Sequence, residues 1–135
     1  MPEITGRCLC GAIRYCVEGG PVGAAYCQCR DCQYVNGGMP NPVVVFSRAG
    51  FRWLGAEPRA HATAADSGAR VSRLFCEVCG SRIGAVNEAL PALIAICAGS
   101  LDDRDLFKPG LRIWAASAPS WHAIDPSLPA FDGNP

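Results

Sequence analysis

A chain of 135 residues, half of them hydrophobic, is long enough to bury one core, and its length is that of a single domain over residues 1–135. Twelve basic and twelve acidic residues cancel, which leaves no excess charge to hold nucleic acid or an anionic membrane. Fifteen glycines and eleven prolines favour short strands and many turns over long helices.

Residues Met1 to Cys10 contain no apolar run of signal-peptide length, and no later stretch is long enough to span a bilayer. A cytoplasmic location is the default expectation. Gly6-Arg7-Cys8-Leu9-Cys10-Gly11 opens the fold. Residues two apart on a flat strand lie about 6.5–7 Å from each other, too far for two sulfurs to share one ion, so the backbone must bend here. Gly11 offers the freedom to do so. Ala12 to Glu18 then alternates as a half-buried strand, with Ile13, Tyr15 and Val17 inward and Arg14, Cys16 and Glu18 opposite.

Cys27-Gln28-Cys29-Arg30-Asp31-Cys32 places three thiols within six residues. A short helical turn is expected over Arg30 to Val35, stopped by Asn36-Gly37-Gly38. Met39-Pro40-Asn41-Pro42 reads as neither helix nor central strand. Val43 to Phe46 reads as a buried strand and Phe51 to Leu54 as an alternating one. Gly55 to Pro58 is a turn, and Ala62 to Gly68 a surface loop. Val71 to Phe75 leads as a strand into the knuckle Cys76-Glu77-Val78-Cys79-Gly80, and Leu93 to Cys97 is a further apolar strand.

Nine cysteines, an odd number without a secretory leader, point to free thiols and metal ligation rather than a disulfide framework. Cys27, Cys29 and Cys32 can hold Zn²⁺ and leave one tetrahedral position free; a fourth protein ligand would instead close the site. Cys8, Cys10, Cys76 and Cys79 can complete a separate four-sulfur site. Cys16 and Cys97 read as ordinary buried thiols. His61 and His122 are general-base candidates, though a lone loop histidine is more often solvated. Arg30, Asp31 and Arg112 are candidates for the charged ends of a peptide-like ligand.

The order and flanks of these cysteines resemble the glutathione-dependent formaldehyde-activating enzyme family, which includes the centromere protein V type domains. The resemblance rests on Gly6-x-Cys8-x-Cys10-Gly11-Ala12, Cys27-x-Cys29-x-x-Cys32, Phe75-Cys76-x-x-Cys79-Gly80 and Gly99-Ser100-Leu101-Asp102-Asp103. Ile113-Trp114-x-x-Ser117 and Leu128-Pro129-x-Phe131 are similar to the family's tail. It implies a mainly β fold, small antiparallel sheets in a zinc-stapled β-tent with few short helical turns. It implies two Zn²⁺ per chain: a structural ion on Cys8, Cys10, Cys76 and Cys79, and a catalytic ion on Cys27, Cys29 and Cys32. The implied activity is that of a carbon–sulfur lyase that forms or breaks S-hydroxymethylglutathione, with glutathione and formaldehyde as its small-molecule partners. Two positions depart from the family pattern: Arg112 stands where a histidine is frequent, and the Met39–Pro42 segment is rich in proline. The competing reading is a non-catalytic zinc module that carries glutathione or docks a protein. A nucleic-acid zinc ribbon is disfavoured by the charge balance.

Overall fold

The computed structural model describes residues 3–65 and 67–135. Its strands are β1 (Ile4–Arg7), β2 (Arg14–Val17), β3 (Gly23–Cys27), β4 (Asn41–Ser47), β5 (Phe51–Trp53), β6 (Arg59–Ala64), β7 (Arg70–Phe75), β8 (Arg82–Asn87), β9 (Leu93–Cys97) and β10 (Leu111–Ile113), with one short helix, α1 (Arg30–Val35). They form two sheets, a small antiparallel one in the order β1-β2-β5 and a seven-stranded one in the order β10-β3-β4-β9-β8-β7-β6. All pairings are antiparallel except that of β10 with β3. The fold is therefore mainly β, as expected. Among the described residues no helix is long and apolar enough to cross a membrane.

The core lies between the sheets. Ile13, Tyr15 and Val17 meet Val44, Phe46, Leu74, Ile83, Ile94 and Ile96. Tyr15 is its centrepiece, stacked on Phe51 at 5.2 Å between centroids and edge-on to Trp53 at 6.0 Å. Its hydroxyl lies 2.7 Å from Ser100 Oγ. Ser100 gives its own proton to the Cys97 carbonyl at 2.9 Å, so Tyr15 must be the donor to Ser100. Burial raises the Tyr15 pKa and keeps that donor protonated.

Helix α1 and strands β5, β7 and β9 fall where the pattern places them, and Val43–Phe46 lies within β4. Two expectations need correction. Asn41 and Pro42 belong to β4, a central strand. Pro42 is accepted because β9 pairs only from Val43 onward, so proline stands at the end of that ladder. Ala62 to Ala64 is strand rather than loop; β6 is the edge of the large sheet, mostly exposed, and its alternation of alanine with polar residues is too weakly apolar to mark a strand. Asp66, within the expected loop, lies outside the described residues. Cys16 faces away from Tyr15 and is buried, as expected of an ordinary thiol, with Arg52 on β5 lying across it and donating to its sulfur at 3.0 Å.

Gly6 marks the tightest approach of the small sheet to its surroundings. A Cβ at this position would run into the Tyr15 hydroxyl and the Ser100 carbonyl. Neither can retreat freely, since the hydroxyl is held by Ser100 Oγ and the Ser100 carbonyl is part of the backbone. Gly6→Ala should therefore lower stability by about 1–3 kcal/mol or more. Gly110→Ala, where a Cβ meets nothing, should be near neutral. Equal thermal melts for the two variants would contradict this account.

Two candidate metal centres

The first centre is made by two knuckles. Beyond β1 the chain turns sharply: Gly11 takes φ +82°, and Cys8 N–H donates to the Ile13 carbonyl at 3.0 Å. The bend demanded by the Cys8-x-Cys10 spacing is therefore present. The second knuckle follows β7, where Gly80 takes φ +79° and donates its N–H to the Cys76 carbonyl at 2.8 Å. Backbone N–H groups point at sulfur in both, Ile13 at Cys8 (3.3 Å) and Cys79 at Cys76 (3.5 Å).

The four sulfurs of Cys8, Cys10, Cys76 and Cys79 lie within 4.8 Å of one another. Cys8 and Cys10 are 3.6 Å apart, and Cys10 and Cys76, 66 positions apart in sequence, are 3.8 Å apart. Four sulfurs on a tetrahedron with metal–sulfur bonds of about 2.3 Å would be separated by about 3.8 Å. The donor set fits an ion without rearrangement. Ser81 joins the knuckles, accepting from Leu9 N–H at 2.9 Å while its hydroxyl lies 3.2 Å from Cys79 Sγ. The Ser81 hydrogen bond brings the Cys79 thiol down to about 5.

The second centre sits at the junction of β3 and α1. Cys27 ends β3, and Gln28 N–H closes on the Ile113 carbonyl of β10 at 3.0 Å. Cys29 is the N-cap of α1, its sulfur accepting from Cys32 N–H at 3.3 Å. The Cys-x-x-Cys spacing is thus a helix cap built with sulfur. Cys27, Cys29 and Cys32 lie with their sulfurs within 4.8 Å of one another. Among the described residues no fourth cysteine, histidine or carboxylate joins them at that range.

Hydrogen bonds with Cys27 and then Cys32 hold the Cys29 thiol at about 2, and the same contact with Cys29 pushes Cys27 upward. Arg73 of β7 contributes positive charge to Cys29 and Cys32. It is only 9 % exposed, held by Thr63 Oγ1 at 3.1 Å and paired with Asp31 at 3.8 Å. A near-buried guanidinium beside sulfur favours the thiolate form.

The seven motif cysteines gather as the spacing predicts, while the other candidates behave differently. His61 lies on the exposed edge strand β6, opposite Arg73 in register. His122 is not a solvated loop residue: it is half-buried, with Nδ1 3.0 Å from Gln28 Nε2 and Nε2 2.8 Å from the Gly38 carbonyl. Arg30 lies over the Tyr34 ring and donates to Gln33. Arg112 reaches the Leu128 carbonyl at 3.5 Å, and its Nε is buried without a partner among the described residues. Cys97 is buried as expected, and burial raises its thiol against the opposing charge of Arg82. The Arg82 guanidinium nitrogens are themselves buried and unpartnered among the described residues.

Ser81, Arg73, Gln28 and Gln33 are the site residues that sequence reasoning did not single out. Gln33 is buried, and its amide donates to the Gln28 carbonyl at 2.9 Å and the Ser117 carbonyl at 3.0 Å. A buried glutamine in a six-residue helix is a signal in principle, but one of its two acceptors lies 84 positions away.

No curated protein matches the sequence. The solved structures provide a neighbour in the crystal structure of a Rhodobacter sphaeroides protein, 20 % identical, with a TM-score of 0.59, covering 78 % of this chain and 96 % of that one. That likeness concerns the fold. The family model described as glutathione-dependent formaldehyde-activating enzyme matches residues 3–117, a span that holds all seven motif cysteines. With that match across most of its length, the chain belongs to the glutathione-dependent formaldehyde-activating enzyme family.

Proposed function

We propose that the protein is a zinc-dependent enzyme of the carbon–sulfur lyase type, forming or breaking S-hydroxymethylglutathione. Cys8, Cys10, Cys76 and Cys79 would hold a structural Zn²⁺, and Cys27, Cys29 and Cys32 a catalytic one. The observation that carries this reading is the count of ligands: three sulfurs converge with no fourth protein ligand beside them among the described residues. Such a set leaves a tetrahedral position for an exogenous thiol. When bound there, zinc lowers the proton affinity of that thiol.

The chain's own groups support the same chemistry. Three thiolates with Zn²⁺ carry a net charge of about −1, and Arg73 stands beside them to balance it. Helix α1 and its sulfur cap fix the spacing of Cys29 and Cys32. In the addition direction the glutathione sulfur forms a bond to the formaldehyde carbon. The carbonyl π pair moves to oxygen, and the proton that left the thiol ends on that oxygen. In the reverse direction the carbon–sulfur bond breaks and the pair returns to sulfur.

Protein purified without chelator should carry close to two zinc ions per chain by elemental analysis. Cys76→Ser should abolish folding or depress the melt severely, because a closed structural site contributes about 10 kcal/mol or more of folding free energy. A near-normal melt would rule out the structural role.

Cys29→Ser should keep the fold and lose one zinc. Glutathione should then bind at least about tenfold more weakly, ~1.4 kcal/mol. S-methylglutathione, which has no thiol proton to lose, should bind the parent protein worse than glutathione does. Calorimetry with both ligands on both proteins decides the matter. Equal binding of the two ligands would exclude the thiolate mechanism and favour a non-catalytic module.

A further inference from the structure

The segment beyond Ser117 lies outside the family match, yet it is built into the second centre. It adds alongside β10: Ala130 bridges Arg112 in parallel, Arg112 N–H donates to the Pro129 carbonyl at 2.8 Å, and Phe131 N–H returns to the Arg112 carbonyl at 2.9 Å. β10 in turn pairs Ile113 with Cys27. From this anchored tail His122 reaches the middle of the cysteine loop.

The protons on His122 follow from its partners. The Gly38 carbonyl can only accept, so Nε2 carries a proton. In the neutral ring Nδ1 is then an acceptor and takes an N–H from the Gln28 amide. Gln28 stands between two of the three sulfur donors, is 1 % exposed, and leaves its Oε1 without a partner among the described residues. An amide buried with one oxygen unsatisfied costs stability, so a mere space-filler is a poor description of it. The approach is shaped as well: a Cβ on Gly38 would press on the Trp121 ring at 3.0 Å, and Trp121 lies edge-on to His122 at 5.0 Å.

We propose that the tail forms the second wall of the three-cysteine centre, with His122 acting through Gln28 as a positioning residue that sets how tightly a metal is held there. This rests on the reading of Cys27, Cys29 and Cys32 as metal ligands. His122 touches none of the three sulfurs; it holds the loop that presents them. Gln33, which ties the Gln28 carbonyl to the Ser117 carbonyl, attaches the same loop to the residue from which the tail departs.

The test is zinc release from the full-length, zinc-loaded protein to the chromogenic chelator 4-(2-pyridylazo)resorcinol. The parent should release one equivalent quickly from the three-cysteine centre and one slowly from the four-cysteine centre. His122→Ala and Gln28→Ala should each speed the fast phase by about tenfold to a hundredfold, in the range found for residues that orient ligands. The slow phase should not move. The double variant should be little worse than either single one, because both remove the same link.

Asn134→Ala serves as the control, since it loosens the tail by removing the acceptor of the Trp114 indole N–H but leaves Gln28 alone. It should release zinc at the parent rate. An unchanged fast phase in His122→Ala, an equal acceleration of both phases, or simple addition of the two single effects would each overturn the positioning role of His122. A parent that yields only one equivalent would overturn the metal reading of this centre and that role together.

Discussion

The gathering of four thiols from two distant knuckles is the constraint on which the rest depends. Cys8 and Cys10 leave the small sheet, while Cys76 and Cys79 lie between β7 and β8 of the large one. Bringing their sulfurs within 4.8 Å fixes one sheet over the other. Tyr15 and its hydrogen-bonded chain through Ser100 to Cys97 then have a single possible depth in the core. The apolar core between the sheets and this sulfur cluster therefore hold the same relative placement, one by burial and the other by bringing together side chains from sequence-distant segments.

The second centre depends on that placement but is built differently. Its three thiols come from one loop, so local backbone geometry alone brings them together. What the wider fold adds is charge and orientation. Arg73 arrives from β7, and the tail arrives by way of β10. One centre therefore joins the architecture, and the other is served by it. The division matches the donor counts: the sulfurs drawn from two sequence-distant knuckles form a set of four, and those of the single loop stop at three.

Both clusters were legible in the sequence because sulfur spacing is a local property. Cys8-x-Cys10 with Gly11 and Cys76-x-x-Cys79 with Gly80 each specify a turn whose sulfurs converge, and both glycines adopt the positive φ that such turns need. The apolar runs of β4 and β9 were equally plain. Strand β6 was not, because its alternation of Ala60, Ala62 and Ala64 with polar residues is carried by a small residue of low strand propensity on an exposed edge. Pro42 was read as a breaker, since register against β9 decides whether its missing N–H matters, and register is a tertiary fact. Ser81 and Arg73 were hidden for the same reason. Each acts on residues on other elements, and residue type alone does not say which serine or arginine will do so; His122 stood out only as one of two histidines, without its partners Gln28 and Gly38.

Charge offers the last link between the two halves of the large sheet. Arg73 is nearly buried, and its acidic partner Asp31 is half exposed at 3.8 Å, a loose pair for a group removed from water. A buried guanidinium needs more compensation than that. The sulfurs of Cys29 and Cys32 provide it, because Arg73 bears on both thiols. The buried guanidinium and the sulfur cluster of the candidate centre thus compensate one another: the positive charge favours thiolate sulfur, and negative charge on sulfur offsets the part of the guanidinium charge that a loose, half-exposed Asp31 leaves unbalanced.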